Sequence, residues 1–230
     1  MKIRIKFKKT GSMKFIGHLD VMRYFQKVNR RAGVDIAYSG GFSPHQLMSF
    51  ASPLGLGLTS EGEYLDMELL SSESSENMIE RMNAVMAEGM EIISFLKLPE
   101  HTKTAMSVVV AADYLLTPEK ALWEDWKETA EHFFAQKVIW VRKKTKKSEK
   151  EVDIRPLVYR WHFDGQSLFL TLASGSADNL KPELLLEAFF QYAGKVYEPC
   201  SFSIHRLELY AREEESGRLI PLSDFGEKIL

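Results

Sequence analysis

The 230 residues are 45% hydrophobic and 27% charged, with a net charge of −2, which excludes an intrinsically disordered chain. The single cysteine, Cys200, excludes an intrachain disulfide and a site built from several thiolates, whether zinc or iron–sulfur. Charge is unevenly spread: residues 1–60 hold ten Lys or Arg against two Asp, and residues 61–100 hold two basic against ten acidic residues.

Residues 2–9 alternate, with Ile3, Ile5 and Phe7 on one face and Lys2, Arg4, Lys6 and Lys8 on the other, the pattern of a half-buried strand. The run lacks the unbroken apolar core of a signal peptide, and no stretch approaches the ~18 apolar residues of a membrane span. No membrane association and a reducing, cytoplasmic setting are therefore expected. From about Leu19 the period becomes helical. Val21, Phe25, Val28 and Ala32 share one face, and Arg23, Lys27 and Arg30 the opposite one, with Arg31 beside them. Gly33 is a natural stop. "VDIAYS", "LMSFASPL" and "GEYLDMELL" read as strands. A Ser-capped helix with Met78, Ile79, Met82, Val85 and Met86 on one face follows, and "EIISFLKL" closes the set.

The second half repeats the plan. "SVVVAADYLLT" is a strand, and residues 118–136 a helix with Pro118 in its first turn. "KVIWVRKK" is a strand, followed by a basic loop over Arg142 to Lys150. "LVYRWHF" and "SLFLTLAS" form a hairpin about Asp164–Gly165. The helix "KPELLLEAFFQYAG" and the strand "CSFSIHRLELYAR" complete it. The order predicts an α+β fold of two tandem ferredoxin-like (βαββαβ) domains, 1–102 and 103–230, with the boundary near residues 98–106.

Chemistry concentrates in two stretches. In "FIGHLDVMRYFQKVNRRAG", Asp20 is a candidate helix cap and His18 a candidate proton donor or acceptor at the sheet edge. The bland alternative is a cap beside a backbone-bonded histidine. Arg23, Lys27, Arg30 and Arg31, with Arg4, Lys6 and Lys8 from the first strand, offer phosphate-neutralising charge, or else a merely solvated face. In "YSGGFSPHQLMSF", Gly40–Gly41 permits close approach to the main chain, Ser39 and Ser43 add donors, Tyr38 and Phe42 can stack on bases, and His45 follows Pro44. The bland reading is a tight turn with Phe42 packed in the core. His18, His45 and Asp20 make a weak metal set, so no metal is expected. The acidic run Glu61, Glu63, Asp66 and Glu68 reads as a solvated edge, with Glu63 and Asp66 on opposite faces. The basic loop reads as flexible and open to RNA, and Cys200 as a buried or half-buried hydrophobe.

These two stretches, extended through "SFASPLGLGLTSEGEYLDMEL", resemble the radical-SAM-associated family of uncharacterised bacterial proteins, found alone or fused behind radical SAM modules. The match lies in residues 3–70. The chain departs from the family pattern at Gln46, where proline is usual, and at Gly17, where serine is frequent. The resemblance implies an accessory role beside a radical SAM protein. S-adenosylmethionine and the iron–sulfur cluster would lie on that partner, and this chain would bind no cofactor itself. The tandem plan is also similar to that of CRISPR repeat-processing endoribonucleases, which nominates His18, Tyr38 and His45 as catalytic candidates. Three readings follow. The first is an accessory protein that binds RNA or presents a substrate. The second is a metal-independent endoribonuclease, and the third a pure protein-interaction module.

Overall fold

The computed structural model describes residues 1–144 and 149–230. The first half runs β1 (Lys2–Lys9), α1 (His18–Arg31), β2 (Met48–Phe50), β3 (Thr59–Glu68), α2 (Ser75–Asn83) and β4 (Met90–Lys97). The second runs α3 (Ala105–Val108), β5 (Val109–Pro118), α4 (Trp126–Phe134), β6 (Trp140–Lys144), β7 (Glu149–Asp153), β8 (Val158–Asp164), β9 (Ser167–Ala173), α5 (Pro182–Tyr192), β10 (Phe202–Arg212) and β11 (Leu219–Pro221). The fold is α+β, built on one nine-stranded mixed sheet ordered β4-β1-β3-β10-β5-β9-β8, with β2 added to β3 and β11 to β10. Pairing is antiparallel throughout this sheet except at the β3–β10 joint, where His205 and Arg206 run parallel to Thr59 and Ser60.

The alternation in β1 buries Ile3, Ile5 and Phe7 against Val21, Phe25 and Val28 of α1 and Met78 and Met82 of α2. Phe7 and Phe25 meet edge to face at 4.7 Å. A second cluster packs Leu168, Leu170 and Leu172 of β9 under Phe133 of α4 and Leu185, Leu186 and Phe189 of α5. The C-terminal segment returns to the first half. Glu227 exchanges backbone hydrogen bonds with Lys97 at 2.8 and 3.0 Å, and the Ile229 amide donates to Ser75 Oγ at 2.9 Å.

Several expectations are corrected. "VDIAYS" forms only the isolated bridges Ile36–Leu69 and Tyr38–Gln46, and "LMSFASPL" contributes only Met48–Phe50. Pro118 ends β5 instead of opening a helix, and α4 begins at Trp126. A proline in the first turn of a helix and one at the end of a strand look alike in sequence, because both positions need no amide donor. β6 leaves the main sheet to pair with β7, whose first residues fall within the expected basic loop. The centre of the basic loop, residues 145–148, lies outside the described residues. The Ser cap is Ser74, whose Oγ accepts from the Asn77 amide at 3.3 Å, and the β8–β9 hairpin turns at Gly165 with φ +57°. No described helix is long and apolar enough to cross a membrane.

Candidate functional site

The site begins where β1 hands over to α1. Gly17 is the N-cap residue, with extended φ and ψ and no side chain to bond the first turn. Asp20, expected to cap, instead sits in the first turn, where its charge favours the helix dipole and lies 3.6 Å from Arg23. His18 is half-buried, with its ring edge-on to Phe50 at 5.3 Å. With Lys9, Glu63 and Val21 it lines a cavity of about 20 Å³, room for about one water. Burial pulls the Lys9 ammonium below the ordinary lysine range, against the opposing pull of Glu63. Its Nζ donates to the Ile16 carbonyl at 3.0 Å.

Arg23, Lys27, Arg30 and Arg31 are all exposed along α1. The basic residues of β1 do not join them. Arg4 is buried and paired with Asp66, Lys6 Nζ lies 2.7 Å from Glu208, and Lys8 Nζ lies 3.0 Å from Glu91. The alternation that buries Ile3, Ile5 and Phe7 beneath α1 sends these three cations to the opposite face of the sheet. Glu63 and Asp66 are likewise not a solvated edge. Both are buried, on opposite faces, each against a buried arginine.

The loop over residues 38–46 is a closed hairpin tip. The Ser39 amide donates to the His45 carbonyl at 2.9 Å, and the His45 amide donates to Ser39 Oγ at 3.1 Å. Ser39 Oγ also lies 2.8 Å from His45 Nδ1. The hydroxyl thus bonds both the backbone and the ring of His45 and ties the two ends of the loop together. Gly41 takes φ +99°, the left-handed region that a glycine enters freely. Gly40, Ser43 and Pro44 are exposed beside it, and Phe42 is fully exposed at the tip instead of packed in the core.

Gln46, visible in the sequence only as a departure from the family pattern, and Asn29 fix this loop to the basic helix. Buried Gln46 donates through Nε2 to the Gln26 carbonyl at 3.3 Å and to the Tyr38 hydroxyl at 3.4 Å. Its Oε1 accepts from Asn29 Nδ2 at 3.0 Å. Gln26 and Asn29 flank Lys27 and Arg30 in sequence, so the loop's base is held against the helix that carries the arginines. A Gln next to an apolar run gives no periodic signal, so its bonds to the helix are not legible in the sequence. His18 and His45 have separate partners, and no hydrogen bond or ring contact joins them. Cys200, expected to be buried or half-buried, is exposed, with φ +66°.

The tyrosines carry a pH prediction. Burial raises the phenols of Tyr24, Tyr64, Tyr114, Tyr197 and Tyr210 above their ordinary range. Glu208 adds to the effect at Tyr64, and Asp113 at Tyr210. Tyr197 reaches about 12, from burial and then Glu183 and Glu187. A raised folded-state pKa means stability that is complete below the unfolded value of about 10 and lost as pH climbs through the folded values. Phenolate absorbance should therefore lag a free-tyrosine curve and then rise together with loss of circular dichroism. Early, non-cooperative titration of all eight tyrosines would contradict the buried placements.

A family profile described as "Uncharacterized protein conserved in bacteria (DUF2344)" matches residues 2–182. Among solved structures, a chain of "Crystal Structure of a Cbf5-Nop10-Gar1 Complex" is similar at 10% identity and a TM-score of 0.47, over 92% of this chain and 50% of that chain. This chain thus spans about half the length of that one. No curated protein matches.

Proposed function

The chain belongs to this uncharacterized family conserved in bacteria, and we propose that it is an RNA-binding accessory protein that serves a radical SAM enzyme. The observation that carries the RNA reading is Phe42, fully exposed on a closed loop whose base is bonded to α1 beside Lys27 and Arg30. An aromatic ring held clear of the core gives a base a stacking surface, and arginines alongside neutralise the phosphates. Tyr38, half in water and tied to Gln46, is the second ring of the site.

The reading of both halves as ferredoxin-like units, 1–102 and 103–230, draws support from strand order. β4-β1-β3-β2 and β10-β5-β9-β8 follow the same pattern, each with one helix after the first strand and one before the last. The single cysteine supports a reducing, cytoplasmic setting and leaves the cluster and S-adenosylmethionine to the partner. The endoribonuclease alternative has less support, because His18 faces Phe50 and His45 is engaged by Ser39.

Equilibrium binding to a labelled single-stranded RNA tests this. Phe42→Ala is expected to weaken binding by roughly five- to a hundredfold, the range for losing one base–aromatic stack. Arg30→Glu should also lower the steepness of the salt dependence by about one or two phosphate contacts. Absent or salt-independent binding would replace the RNA reading with a protein-docking one.

A further inference from the structure

The face of the sheet opposite α4 and α5 carries a second arrangement that the proposed function does not use. On β9, Leu168, Leu170 and Leu172 point to the core, so Phe169 and Thr171 point away from it. Register then sets a cross-strand row. His162 of β8 pairs with Phe169 of β9, Phe169 with Leu115 of β5, and Leu115 with His205 of β10. The rings of His162 and Phe169 are stacked, with centroids 4.5 Å apart and planes 26° from parallel. His162 is exposed and Phe169 half-exposed. The rings thus lie one against the other on a surface open to solvent.

The rows on either side differ in chemistry. Toward one end lie hydroxyls: Thr117 Oγ1 and Ser167 Oγ are 2.7 Å apart, and Ser203 pairs with Thr117 in register. Toward the other lie guanidinium groups. Arg160 is well exposed, with its Nε donating to Thr171 Oγ1 at 3.2 Å and its NH2 4.0 Å from Asp113, and Arg212 lies over the Tyr159 ring at 5.6 Å. The carboxylate in that row, Asp113, is buried and already accepts from Thr171 and Tyr210, each at 2.6 Å. Glu61 stands 3.8 Å from His205 at the far edge. The Arg160 end is therefore the cationic end of the row.

We infer that this face is a stacking platform for single-stranded RNA. Bases lie on the His162–Phe169 pair and Leu115, the ribose 2′-hydroxyls meet the hydroxyl row, and phosphates meet Arg160 and Arg212. Hydroxyl donors, flat rings and cations in adjacent rows match the sugar, base and phosphate of one strand. A duplex would hide its bases from such a surface. The inference shares its ligand class with the proposed function, but it stands on different residues on the other face of the sheet.

The test uses labelled single-stranded oligouridine, the same sequence as DNA, and an RNA duplex. Photo-cross-linking locates contacts, and anisotropy measures affinity for His162→Ala, Phe169→Ala, Leu115→Glu and Phe42→Ala. Leu115→Glu is included because it places negative charge on the platform without removing a ring, and circular dichroism checks that each variant is folded. Expected are cross-links in β8 or β9, a roughly five- to a hundredfold loss in the platform variants, and preference for the RNA strand over DNA and duplex. Binding lost in Phe42→Ala but unchanged in all platform variants, with no β8 or β9 cross-link, overturns the platform and leaves the α1 site standing. Loss in the platform variants alone supports the platform and removes the Phe42 site. No binding to any probe overturns both.

Discussion

Glu63→Ala is expected to lower the free energy of unfolding by about 3–5 kcal/mol, the usual consequence of leaving a buried arginine without its carboxylate. Arg206 bonds Glu63 through Nε at 2.8 Å and NH2 at 2.6 Å, and NH2 also donates to the Ser52 carbonyl at 2.7 Å. Both side chains are buried. Burial works against the Arg206 charge, and Glu63 and Tyr114 together more than offset it. The location magnifies the effect. β3 and β10 share only the register pairs His205–Thr59 and Arg206–Ser60, so the ion pair clamps the joint between the halves of the sheet. Gly62 lets the strands approach there, since a Cβ on it would lie 2.5 Å from the Leu207 carbonyl oxygen. Urea unfolding measures the loss. The double replacement Glu63→Leu with Arg206→Met should recover most of it, because the desolvation penalty disappears with the charges. A single-variant loss under about 1 kcal/mol would mean that the pair is screened by water and does not secure the joint.

Asp66→Ala is the counterpart on the opposite face, with an expected loss again of about 3–5 kcal/mol. Asp66 accepts from Arg4 Nε at 2.8 Å, Arg4 NH2 at 2.9 Å and the Ala105 amide at 2.7 Å. Arg4 in turn donates to the carbonyls of Leu222 at 3.3 Å and Lys103 at 3.4 Å. One carboxylate therefore holds β1, the connection between the halves and the C-terminal segment together. Its removal should speed hydrogen exchange at residues 103–108 and 222–225 more than in β5 or β9. Asp66→Asn keeps one acceptor oxygen and should fall between the alanine variant and wild type. Uniform exchange across the chain would show that these segments are held by their apolar contacts instead.

These two pairs also show what the sequence could disclose. β1, α1 and the β8–β9 hairpin were legible because their signals are local: a period of two, a period of 3.6 and an Asp–Gly turn. The charged residues of β1 and β3 read equally well as solvated surface. Arg4 meets Asp66, and Glu63 meets Arg206, only after distant segments are brought together, and no local pattern encodes that meeting. In the candidate site, the glycines and serines of residues 38–45 announced a loop. Phe42 did not announce its exposure, because a large aromatic more often reports burial. The Asn29–Gln46 hydrogen bond was illegible for the same reason as the ion pairs, since it joins the loop to a helix already passed in the chain.

The most direct measurement is to incubate purified protein with total cellular RNA at low and at moderate salt and sequence what is retained, with Arg30→Glu, Phe42→Ala and His45→Ala in parallel. The account predicts enrichment of a restricted RNA class by the wild type, weakened by salt and by Arg30→Glu and Phe42→Ala. His45→Ala should weaken it less, because that side chain locks the loop through Ser39 and need not touch the ligand. Retention of no RNA class above background, or retention unchanged in all three variants, would contradict an RNA interface on α1 and the loop at residues 38–46.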